Sequence, residues 1–168
     1  MQSLGLVWSN FDPLNADLME TQKAIAEPTQ YGARLLWEQW KQKQDEGGFV
    51  VGRDVPSRRL ACVLRNLAVF ETTGGDFRVR LAGTAFTRRF GRDITGLRLS
   101  ELYSPAKFAP YRDLLDRTIA SNRPFAFDLN VSRDGRQYFH CEAVGMPVLS
   151  PVRDETWLMG GLFYFDWS

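Results

Sequence analysis

Apolar and polar positions change period several times along the chain, and each change marks an element. From Gln30 to Gln44 the spacing is helical: Tyr31, Leu35, Trp37 and Trp40 fall near one face, Glu38, Lys41 and Lys43 near the other. Gly47-Gly48 ends this helix. A loop with Gly52 and Pro56 leads to Ser57–Leu67, where Leu60, Val63 and Leu64 predict a short helix. The period then drops to that of a strand. Leu67–Glu71 and Phe77–Ala82 read as strands joined by Thr72-Thr73-Gly74-Gly75-Asp76, a hairpin-length loop whose glycines accept positive φ. At Gly83 the strand pattern stops and helical spacing returns through Phe86 and Phe90. A tight Gly91–Gly96 turn follows, then the closely spaced Ile94, Leu97, Leu99 and Leu102. Ser104-Pro105 opens a longer helix, with the proline where a missing N–H costs nothing. Phe108, Tyr111, Leu115 and Ile119 recur along it at helical steps, and Asn122 before Pro124 closes it. Three strands finish the chain. Phe125, Phe127, Leu129 and Val131 alternate with polar or small residues up to an Asp134-Gly135 hairpin turn. Tyr138–Met146 is the next strand, stopped by Pro147, and the apolar run Thr156–Asp166 follows a polar loop.

Hairpin links within each strand group predict an α+β fold: a five-stranded antiparallel sheet with short helices on one face and an N-terminal flanking helix. Residues 1–30 are weakly periodic, punctuated by Pro13 and Pro28, and read as an arm with one helical turn around Asp17–Ala26. Residues 31–48 are the flanking helix and 49–168 the domain. A chain of 168 residues is long enough for one domain with an extension and short for two.

Composition removes several classes. With 44% hydrophobic and 13% aromatic residues the chain is a folded protein rather than a disordered one. A net charge of +1 gives no reason to expect nucleic acid, and Arg88, Arg89 and Arg92 read as a solvated basic face. Cys62 and Cys141 have no metal-ligand spacing and there is a single histidine, so zinc is not expected and the compartment reads as reducing. Asp12 arrives before any long apolar run, and no stretch nears the roughly 20 apolar residues that span a bilayer. The expected location is cytoplasmic, with no membrane partner.

The turn Gly91-Arg92-Asp93-Ile94-Thr95-Gly96, followed by Leu99 and Leu102, lies among short helices in a chain ordered two strands, helices, three strands. Both features resemble the PAS domain family. The likeness is more specific to compact stand-alone bacterial PAS proteins, which have an aromatic N-terminal helix with a Trp, a Pro-Ser-Arg loop and an RLAGT…FGRDLTG signature. Here these are Trp37–Trp40, Pro56-Ser57-Arg58, and Arg80-Leu81-Ala82-Gly83-Thr84 with Phe90–Gly96, so the likeness spans about residues 31–166. Arg59-Leu60-Ala61 stands where those proteins often carry an acidic residue and a proline. The resemblance implies a module of bacterial signalling that senses a small ligand or contacts a partner protein, with no catalytic domain of its own. Any output would then pass through residues 1–48.

The residues narrow the cofactor. Covalent flavin or coumaric-acid chemistry needs a cysteine among the short helices, and Thr84–Leu102 has none. Haem of this family takes a helical histidine, whereas His140 falls in a strand. Non-covalent flavin or an organic acid stays open, since an apolar cavity with a few polar groups suffices. The aromatics Phe86, Phe90, Phe108, Tyr111 and Phe127, with Leu115, either line such a cavity or fill it; Phe163 and Phe165 belong to the same set. His140 reads as a strand histidine bonded to backbone or Tyr138. Alternatively, with Glu142 on the same face, it supplies polar or pH-sensitive contacts to a ligand. Arg80 reads as a salt bridge to Asp93 or Glu101, or as a bidentate clamp for a ligand carboxylate at the cavity mouth. Asp93 itself reads as a cap for the Thr95–Leu97 turn.

Tyr31, Leu35, Trp37 and Trp40 form a stripe that a small sheet does not easily bury, which points to a homodimer through this helix. The alternative function is a small α+β-cone enzyme or metabolite carrier using His140 with Glu142, or Asp128, as acid and base. A scaffold that binds no ligand is the third reading.

Overall fold

The computed structural model describes residues 18–133 and 136–166. Its strands are β1 (Leu18–Ile25), β2 (Leu67–Thr72), β3 (Phe77–Ala82), β4 (Phe125–Arg133), β5 (Arg136–Leu149) and β6 (Thr156–Tyr164). The helices are α1 (Tyr31–Gln44), α2 (Thr84–Phe90), α3 (Leu99–Leu102) and α4 (Pro105–Ser121), with a 3₁₀ helix over Arg58–Asn66. The Asp134-Gly135 turn lies outside the described residues.

One antiparallel sheet runs β1-β4-β5-β6-β2-β3. The α+β class is as expected, but among the described residues the sheet has six strands rather than five. The extra one, β1, falls where a helical turn within an arm was expected. It pairs with β4 from Leu18↔Arg133 to Ile25↔Ala126, so ladder hydrogen bonds to the free side of β4 override its weak local preference. β5 also runs past Pro147 to Leu149. Pairing with β4 ends at Phe125↔Gly145, so Pro147 lies beyond the end of that neighbour and is tolerated there. Its carbonyl accepts a 2.6 Å hydrogen bond from Trp40 Nε1 instead of a ladder bond.

Both faces of the sheet are covered. On one, Phe77, Val79, Leu129, Val131, Leu158 and Leu162 pack under α2, α3 and α4. On the other, Val69, Val144, Met146, Val148, Trp157 and Met159 pack under α1 and the 3₁₀ helix. Alternation along β5 and β6 feeds both cores at once, which is why residues 143–149 of β5 and 157–163 of β6 carry no polar side chain. Trp37 and Trp40 are 6% and 4% exposed in the second core. The expected exposed tryptophan stripe is therefore corrected: the second sheet face buries it. Of the four residues read as an interface, Tyr31 is 81% exposed and Leu35 half-buried at the edge of that core.

The start of α1 is held from across the sheet. Its N-cap, Gln30, makes no side-chain cap bond. Glu142 of β5, 2% exposed, accepts from the Thr29 N–H at 2.9 Å, the Thr29 hydroxyl at 2.8 Å and the Gln30 N–H at 2.6 Å. A buried anion thus meets the unsatisfied donors and positive dipole end of the helix. At the other end of the α1 loop Asp54 does similar work. Burial pushes its carboxyl up, but hydrogen bonds from Arg53 and the Val50 N–H, with Lys43 nearby, hold it below the usual carboxylate range.

Candidate functional site

Between the sheet and α2–α4 lies an apolar cavity of about 90 Å³. The sequence builds it from short elements, because a short helix ends before it can fill the space beneath it. α2 stops at Gly91, whose left-handed φ of 74° turns the chain away after Phe90. Asp93 then fixes the next turn by accepting from the Thr95 N–H at 3.0 Å and its hydroxyl at 2.8 Å. These bonds hold its carboxyl below the usual range. The turn cap expected of Asp93 is what it forms.

Aromatic rings make the wall. Tyr103 and Tyr111 stack at 4.8 Å between centroids, Phe90 meets Tyr103 edge-on at 5.9 Å, and Phe70 meets Phe86 edge-on at 6.2 Å. At one place the floor has no side chains of its own. Gly145 and Gly160 face each other across β5 and β6. A Cβ on Gly145 would sit 2.2 Å from the Phe125 ring, so that ring lies directly on the glycine. Among the lining side chains the one carboxamide is Gln22, contributed by β1. Its Nε2 donates to the Tyr111 hydroxyl at 3.3 Å, while its Oε1 is buried with no hydrogen-bond partner among the described residues.

Of the residues proposed from sequence to bind a ligand, Phe86, Phe90, Tyr111, Leu115 and Phe127 line this cavity. Phe108 packs against the same core without lining the space. Arg80, His140 and Glu142 are elsewhere. Arg80 lies on the α1 side of the sheet, over the Trp157 ring and 3.5 Å from Glu71, not from Asp93 or Glu101. It occupies a bulge, between the pairs Val79↔Phe70 and Leu81↔Val69. His140 also faces the α1 side, where its Nε2 contacts Asp128 Oδ1 and its ring stacks on Phe165 at 4.3 Å. Glu142 is committed to Thr29 and Gln30. The Asp128–His140 pair is thus separated from the cavity by the sheet. Phe163 belongs to the α1-side core.

Gln22, Tyr103, Gly145 and Gly160 are lining residues that sequence reasoning missed. A signal existed for two of them: glycine inside an apolar strand often marks a close approach by another group. Nothing in the Leu18–Ile25 pattern points to Gln22.

An antiparallel sheet, a run of short helices laid across it and a cavity between them are the arrangement of a PAS-like fold, and the family match below makes it a sensory or regulatory module. The sequence profile of the PAS domain family matches residues 29–163, and the chain belongs to that family. The match begins after β1, so the strand carrying Gln22 lies outside it. No curated protein matches the chain. Among the described residues, no helix is long and apolar enough to cross a membrane.

Proposed function

We propose that this chain is a ligand-sensing module of bacterial signalling, cytoplasmic and without catalysis of its own, which passes its state to a partner protein by contact. The observation that supports it is the cavity under α2–α4, walled by aromatic rings and bordered by Gln22, whose buried Oε1 has no hydrogen-bond partner among the described residues. A ligand seated there touches α2, α3, α4 and the sheet together, so its binding can move the helices against the strands. The acid–base alternative draws no support from geometry, since His140 pairs with Asp128 and Glu142 holds α1, both away from the cavity.

A second reading is favoured by size. At about 90 Å³ the cavity is small beside the roughly 300–1,000 Å³ of ordinary ligand pockets, as suits a module that only binds proteins. Native and then denaturing mass spectrometry of freshly purified full-length protein separates the two. A near-stoichiometric released molecule supports ligand sensing. A bare polypeptide that also binds no small aromatic added to it refutes that reading and leaves the protein-binding module.

A further inference from the structure

We propose that the cavity takes a neutral, single-ring aromatic bearing a hydrogen-bond donor, of which phenol is the simplest, and that Gln22 Oε1 is its acceptor. The inference rests on the ligand-sensing reading and names the chemistry of that same site.

Charge is settled by the lining. Among the described residues, none of the side chains around the cavity is Asp, Glu, Lys, Arg or His, so a carboxylate or an amine would be desolvated there with no counter-charge from them. Shape comes from the floor and walls. Gly145 and Gly160, opposite each other, give a floor without side chains of its own, covered at Gly145 by the Phe125 ring, and Phe86, Phe90 and Tyr103 also line the space. A flat ring fits between such surfaces with edge-on and stacked contacts. Size limits it to one ring. A cavity of about 150 Å³ lined by apolar side chains holds benzene, and this one measures about 90 Å³ before any ligand is bound. The difference can be supplied by Phe125, half-buried and resting on Gly145 at the start of β4. When that ring swings aside it uncovers the glycine floor.

The polar end is specified by Gln22. Its side chain is 5% exposed, its amide nitrogen is already spent on Tyr111, and its oxygen has no partner among the described residues. A buried acceptor left unmatched shifts an equilibrium against that state by a factor of about 5 to 150. A ligand O–H or N–H that reaches Oε1 recovers much of that factor. One lacking a donor recovers none.

The test is calorimetric titration of the full chain with three probes of similar size: phenol (a donor), benzaldehyde (an acceptor only) and toluene (neither). Wild-type protein should bind phenol at least about 10-fold more tightly than either of the others. Gln22→Leu should erase that preference while keeping toluene binding within about 3-fold, which also shows that the variant is folded; Gln22→Met serves the same purpose if Leu perturbs β1. Equal binding of phenol and toluene, tighter binding of benzaldehyde, or a phenol preference that survives loss of Gln22 would overturn the proposal and leave ligand sensing intact. Failure of all three probes overturns the proposal. If the purified protein then also carries no bound molecule, ligand sensing fails with it.

Discussion

Replacing Glu142 by Gln tests whether one buried carboxylate holds α1 onto the sheet. In the wild type its oxygens accept from the Thr29 N–H, the Thr29 hydroxyl and the Gln30 N–H at 2.6–2.9 Å. The amide keeps one acceptor oxygen, so some of these bonds persist in neutral form, each weaker by about 1 kcal/mol. The new NH₂ group faces backbone donors and leaves a buried polar group unmatched, at a cost of about 1–3 kcal/mol. Removing the anion from the helix N-terminus subtracts about 0.3–1 kcal/mol more. Together these come to about 4 kcal/mol, a large part of the roughly 5–15 kcal/mol that stabilises a typical protein. Urea unfolding followed by circular dichroism should show a midpoint lowered by more than about 1 M, given slopes of about 1–3 kcal/mol/M. Amide exchange at Thr29 and Gln30 should accelerate with it. Glu71→Ala, which removes a half-exposed partner of Arg80 at 3.5 Å, should cost less than about 1 kcal/mol and is the control. A Glu142→Gln variant no less stable than that control would refute the anchoring role.

The burial of both tryptophans predicts that the double variant Trp37→Glu, Trp40→Glu does not fold, rather than giving a folded monomer; a cooperative unfolding transition for it would refute the packing described. Trp40→Ala alone should cost about 3–5 kcal/mol, measured by denaturant titration. Asp54→Asn should destabilise by about 1–3 kcal/mol near neutral pH. Because the folded carboxyl is depressed below its ordinary 3.8, that stabilisation is full above pH 3.8 and is lost as pH falls through the lower folded value. The two proteins should therefore converge in stability in strong acid, and a gap that widens there would contradict the ion pairing. Gly145→Ala places a methyl 2.2 Å from the Phe125 ring and should destabilise by about 1–3 kcal/mol, an effect largely relieved in the Gly145→Ala, Phe125→Ala double variant by cycle analysis.

Much of this architecture is legible in sequence because its apolar residues repeat at one period between turn residues. β2, β3, α1, α4 and β4 are of this kind. β1 is not, since its inward-facing residue at the middle is Gln22 and no apolar alternation marks it. The placement of His140 and Glu142 is hidden for a sharper reason. Counted back regularly from the Arg133↔Arg136 pair, Phe127 would stand opposite Glu142, on the cavity side. A bulge between Val131 and Ser132 shifts the register by one, so Phe127 pairs with Ala143 and every charged residue of that stretch moves to the other face. A bulge likewise displaces Arg80. No residue pattern announces either. The burial of Trp37 and Trp40 had a visible sign: Trp157–Phe163 is apolar at consecutive positions, so something must cover each side of that strand.

The eight rungs joining β1 to β4 set a practical boundary for anyone cutting this gene. A fragment started at Thr29, where the family match begins, keeps every described helix yet strips β4 of its outer neighbour. Phe125–Arg133 would then be a rim strand of nine residues with unpaired amides and carbonyls and the apolar row Phe127, Leu129, Val131, the kind of border that recruits another chain. Such a piece should be less soluble than the full chain or exchange strands with itself, as size-exclusion chromatography of the two side by side would show. Homology marks where the family starts; the hydrogen-bond ladder shows that the strand ahead of it belongs to the same sheet.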